Sequence, residues 1–244
     1  SQLISFQLAV VIELLCVVLL IIPILPLMQK RRWMGIGSAV LLAVGALIVP
    51  VYTLLLLSVA HNLTPLGFLA ESLEGDKRGP ILVMGGIVFI LMPILIASGL
   101  PFAYLNQWRL AAPEASILSA GPLSAHLGIY VPKAFHQAHW ALYAFSAAVF
   151  AQCLHYATVI YVLPRLLPTH LSQLPAYPVS VVKWDSLPNI RWILIGFGGV
   201  FLAGFLLDFF GTRWFYSLFA SVHAWIEIPL LLLALGTSQV SSKT

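Results

Sequence analysis

The sequence predicts an all-α integral membrane protein, a bundle of six transmembrane helices with a seventh short span as the alternative, and three observations carry that reading. Of the 244 residues, 61% are hydrophobic and 8% are charged, where soluble domains carry about 25% charged residues. The mean hydropathy is +1.00. Apolar runs of roughly 20 residues, the length that crosses a bilayer's hydrocarbon core, recur along the chain.

The spans expected are residues 3–28, 34–60, 80–105, 140–163, 192–211 and 215–235, in one transmembrane domain covering residues 1–244. The first apolar run is too long for the apolar region of a signal peptide and is expected to be a retained helix. The second and third runs follow the same logic. Between them, the segment 62–79 carries Glu71, Glu74, Asp76, Lys77 and Arg78 and reads as a partly helical surface connection. Residues 117–135 are apolar but interrupted by Gly121, Pro122, His126, Gly128 and Pro132, which suits a re-entrant or interfacial segment or the seventh span. Residues 165–189 hold Pro168, Pro175, Pro178 and Pro188, and read as an irregular loop outside the membrane. The fifth run carries Gly196, Gly199, Ala203 and Gly204 at spacings that allow close helix packing.

Lys30, Arg31 and Arg32 form the densest basic cluster, which the positive-inside rule places in the cytoplasm, with both termini opposite. Trp33, Trp108, Trp140, Trp184, Trp192 and Trp214 fall near expected span ends, as an interfacial aromatic belt requires. The expected location is a bacterial inner membrane or an equivalent organellar membrane, with membrane lipids as partners. A net charge of +4 spread over short connections gives no basic stripe for nucleic acid. Cys16 and Cys153 both lie in apolar runs, which leaves no disulfide framework and no Cys-x-x-Cys metal site.

Function is expected to reside in the ionisable residues inside the spans, because a charge at mid-bilayer costs several kcal/mol unless paired. These are Glu13, His155, Asp208, His223 and Glu227. His223 and Glu227 are four residues apart, so they share a helix face one turn from each other. Measured from the expected cytoplasmic ends, Glu13 and His155 lie about 22 Å deep, Glu227 about 19 Å and His223 about 13 Å. That common level makes His155, His223, Glu227 and Glu13 the expected metal ligands. His136, His139 and Asp208 form a candidate second group, nearer the cytoplasmic side. His61 and His170 fall at the opposite surface, so replacing His61 is expected to be nearly silent.

Imidazoles with carboxylates suit Fe, Zn, Cu or Mn, and iron is the leading expectation. The corresponding function is a non-haem iron oxidoreductase or oxygenase acting on a lipid-soluble substrate such as a carotenoid, quinone or acyl chain. Tyr156 and Trp225, with Tyr143, Phe209, Phe210 and Tyr216, are expected to line its cavity. The alternative is a haem- or chlorophyll-binding subunit of an electron-transfer or photosynthetic complex, with other membrane subunits as partners and His155 and His223 as axial ligands. A third class is a proton- or ion-translocating protein or an assembly factor, against which the lack of an internal repeat counts. No His-Glu-x-x-His, Walker or Gly-x-Ser-x-Gly motif is present.

Overall fold

The computed structural model describes residues 2–73, 76, 78–108, 121, 125–166 and 190–237. All regular structure among them is helical, with no strand. Helix α1 (Gln2–Ile21) opens the chain and passes at Ile22 into a 3-10 stretch, Ile22–Arg31. Pro23 and Pro26 cause that change, since neither has an amide hydrogen to donate to an α-helical ladder. Val17, Ile21 and Met28 from this first limb close on Leu42 and Leu232 to form the largest buried cluster.

The second expected span is broken in its middle. Helix α2 (Arg32–Ile48) ends at Val49, whose φ of −141° and ψ of 61° are not helical, and α3 (Pro50–His61) restarts with proline in its first turn. A residue before proline is pushed out of the α region, and proline is accommodated where a helix begins. Helix α4 (Thr64–Ser72) follows after a short turn, and α3 and α4 form a pair bent by 46° that together is apolar and long enough to cross a bilayer. The segment expected as a surface connection therefore contributes half of this bent apolar pair. Glu74 and Lys77 of that segment lie outside the described residues.

Helix α5 (Arg78–Gly86), a π-helical turn (Ile87–Leu91) and α6 (Met92–Ala97) form one apolar rod. A second π-turn (Thr158–Val162) joins α8 (Ala141–Ala157) to α9 (Leu163–Leu166). In both rods a proline, Pro93 or Pro164, follows two residues after the widened turn. Widening relieves the clash between a proline ring and the preceding turn. The third expected span stops early, at Gly99, because a φ of +80° turns the chain before α7 (Leu100–Gln107). A Cβ at Gly99 would stand 2.6 Å from the Tyr143 ring.

Helices α10 (Ile190–Leu207) and α11 (Phe209–Thr237) meet at Asp208, not at the turn expected near residues 212–214. Asp208 Oδ1 accepts the Gly211 amide at 3.0 Å, so this carboxylate caps α11 and lets the helix start several residues early. At the other end of α11, the Arg31 guanidinium donates to the Leu235 carbonyl and lies 3.5 Å from Glu71 Oε1, which ties the first limb, α4 and α11 together.

By length and composition the described residues supply four helices able to cross a membrane, Phe6–Met28, Arg78–Ala97, Ala141–Val162 and Phe209–Gly236. The bent pair makes five, against the six expected, while Arg32–Ile48 and Ile195–Leu207 are shorter apolar helices. Large apolar side chains cover the outside, with Leu47 73% and Leu207 83% exposed. Of the proline-rich segment expected as a loop, Arg165 and Leu166 end α9 and residues 167–189 lie outside the described residues.

Candidate metal centre

Three helical rods converge on one polar group. His61 ends α3 at the bend, His155 projects from α8 one turn before the π-turn, and His223 and Glu227 project from one face of α11. Glu227 Oε2 is the hub. It lies 3.3 Å from His61 Nδ1, 3.6 Å from His155 Nε2 and 3.1 Å from His223 Nε2. One ligand atom from each of the four residues lies within 4.8 Å of every other.

These separations suit a shared cation. Metal–nitrogen and metal–oxygen bonds of about 2.1 Å place tetrahedral ligands roughly 3.4 Å apart, close to the three distances from the carboxylate oxygen. Burial sharpens the point: His155 is 1% exposed and Glu227 7%. His61 Nδ1, both nitrogens of His155 and Glu227 Oε2 are buried, and no hydrogen bond of proper geometry reaches them. A buried polar atom left unpaired costs on the order of 1–3 kcal/mol, and one cation would satisfy three of these four, His61 Nδ1, one nitrogen of His155 and Glu227 Oε2.

The remaining carboxylate oxygen is held from behind. Thr64 Oγ1 stands 2.6 Å from Glu227 Oε1 and 2.7 Å from the His61 carbonyl, so one hydroxyl orients a carboxylate while sitting on the turn that carries His61. Support of this kind fixes a ligand's direction toward a metal. Asn62 is also buried and donates to the Ser58 carbonyl at 3.1 Å, which secures the same turn.

Two cavities flank the group. One of about 270 Å³ is walled by Phe68, Val159, Leu163, Ile226 and Leu230 and touches His223 and Glu227. The other, about 340 Å³, reaches His61 and Asn62 and is lined by residues of α1, α3, α8, α10 and α11 and by Ile129 and Tyr130.

Of the four ligands expected from the sequence, the fold brings His155, His223 and Glu227 together and leaves Glu13 apart. Glu13 lines the larger cavity and hydrogen-bonds Trp225 and Ser221. In its place stands His61, which helix-depth reasoning had put at the opposite surface. The signal that points to it is Val49-Pro50 in the middle of an apolar run, a break that makes Pro50 the start of a span and His61 its midpoint. The candidate second group does not assemble: His136 Nε2 contacts the Val131 carbonyl at 2.8 Å, His139 is exposed, and Asp208 caps α11. Among the described residues no other group of three or more potential ligands forms. His170 lies outside them.

Tyr156 and Trp225, expected to line a substrate cavity, both face the larger one, as does Tyr216, whose hydroxyl donates to that of Tyr156 at 2.6 Å. Tyr143 instead packs on Gly99, and Phe209 and Phe210 surround His126. No family model matches the chain, and no curated protein or solved structure matches it.

Proposed function

We propose that this chain is a multi-pass membrane protein that binds one iron ion through His61, His155, His223 and Glu227, and that it is an oxidoreductase acting on a lipid-soluble substrate. The observation that carries the reading is the convergence of three imidazoles on one buried carboxylate oxygen, at 3.1–3.6 Å. The membrane half rests on the long apolar helices and on their exposed Leu, Ile and Phe side chains, which water would not tolerate over so large a surface.

Three nitrogens and one oxygen suit a borderline metal. Iron held by these four residues would supply oxygen activation. The chain's own residues do the rest. Thr64 holds the carboxylate, the smaller cavity sets apolar side chains beside the buried Glu227 and the 44%-exposed His223, and the larger cavity offers a hydrophobic molecule a place beside His61. One ring ligated by both His155 and His223 is disfavoured because Glu227 Oε2 occupies the gap between them.

The test is elemental analysis with an absorption spectrum on protein purified in mild detergent. One iron per chain with no Soret or chlorin band is the expected result. A porphyrin or chlorin band, or zinc in place of iron, would overturn the oxidoreductase reading.

A further inference from the structure

The larger cavity runs along one face of α11. Arg213, Tyr216, Ser217, Ala220, Ser221, Ala224 and Trp225 all line it, at the three- and four-residue spacing of a single helical stripe. From Arg213 to Trp225 the stripe covers about 18 Å of helix, and from Arg213 to the level of His223 about 15 Å. The latter is about half of a 30 Å hydrocarbon core, the depth one acyl chain occupies in a leaflet. Ser217, Ala220, Ser221 and Ala224 are small, so they form a floor with room above it. The cavity's 340 Å³ falls in the range of small-molecule sites.

Its two ends differ chemically. At the inner end are His61 of the candidate metal centre and Glu13, engaged with Ser221 and Trp225. At the outer end is Arg213, the one Lys or Arg in the wall. Its guanidinium is part-buried and meets His126 Nδ1 at 2.8 Å, with the Phe209 and Phe210 rings 5.9 and 5.2 Å away. To accept from Arg213, Nδ1 must carry a lone pair, so this contact does not balance the positive charge. Among the described residues no carboxylate pairs with Arg213. Its neighbour Trp214 is 67% exposed, as an indole at headgroup level would be.

We propose that this cavity binds a long-chain fatty carboxylate, with its head group on Arg213 and its chain lying over the small residues of α11 toward His61. A single guanidinium fork matches a carboxylate in shape and charge, and both lie at the membrane interface when the chain lies in the leaflet. The inference deepens the metal-centre reading by naming the substrate class, and it rests on that reading only for what happens at the His61 end.

The experiment measures binding of oleate, oleyl alcohol and oleyl phosphate to the full chain in uncharged detergent, with metal content determined on the same samples. Oleate is expected to bind roughly 10- to 100-fold tighter than the alcohol, the usual contribution of a charged hydrogen bond, and Arg213→Gln should erase that difference without changing metal content. Ala220→Phe, which fills the groove, should weaken all three ligands. Equal affinity for oleate and the alcohol, an unchanged preference in Arg213→Gln, or tighter binding of the phosphate would overturn the proposal. Oleate preference in a preparation that holds no metal supports this inference and removes the metal-centre reading. Metal retained without oleate preference does the reverse.

Discussion

His61→Ala separates the metal centre from every bland account of these residues, because it destabilises the metal-loaded protein and leaves the metal-free protein nearly unchanged. In the metal-free protein the His61 Nδ1 is buried beside Glu227 without a proper hydrogen bond. Removing such an atom recovers part of the roughly 1–3 kcal/mol that an unpaired buried group costs, which offsets the packing lost with the ring. The metal-free variant should therefore melt close to the metal-free parent. In the loaded protein one of four ligands disappears. Even supporting residues behind a ligand are worth 10- to 100-fold in affinity, so about 100-fold is a lower bound for a ligand itself. At fixed metal concentration a 100-fold loss of affinity removes about 2.7 kcal/mol of ligand-derived stability. For a chain of this size that is a fall of roughly 5–10 °C in the melting midpoint. The assay is a thermal melt in detergent, with and without a chelator, on parent and variant at equal metal concentration. A variant that keeps the parent's metal stoichiometry and its chelator-sensitive shift would refute the assignment of His61 as a ligand.

Three further outcomes follow from other contacts. Thr64→Val removes the hydroxyl 2.6 Å from Glu227 Oε1 while keeping its volume, and should weaken metal affinity by about 10- to 100-fold with the helical bundle intact, as titration with a competing chelator would report. Gly99→Ala forces a Cβ into a φ of +80° and against the Tyr143 ring, so it should destabilise by at least the ~1–2 kcal/mol of a left-handed non-glycine residue, seen as a lower melting midpoint with metal content unchanged. Asp208→Ala loses the cap on α11 at a cost of about 1 kcal/mol and should leave metal content at the parent's level, whereas a loss of metal would restore Asp208 as a ligand.

Local rules made part of the site legible. The placement of His223 and Glu227 on one face follows from helical spacing alone, and His155 joined them by its depth in its span. Depth reasoning then failed in two ways. It gave Glu13 the right level but could not give the direction of its side chain, which turns to Ser221 and Trp225. It also placed His61 by counting along a straight helix, when Val49 and Pro50 interrupt that helix.

By itself, the sequence determined what each short stretch could become. Apolar runs became helices, proline widened or ended them, and Asp208, though read there as a ligand, has the side chain that caps the longest one. Only the tertiary structure decided which side chains meet. The 46° bend between α3 and α4, the packing of α4 and the first limb on α11, and the turn at Gly99 are outcomes of many weak contacts between segments far apart in the chain. Those contacts set where each helix begins in space and how it is rotated. Ligand geometry depends on both to within about an ångström, which residue spacing along one helix does not supply for its neighbours.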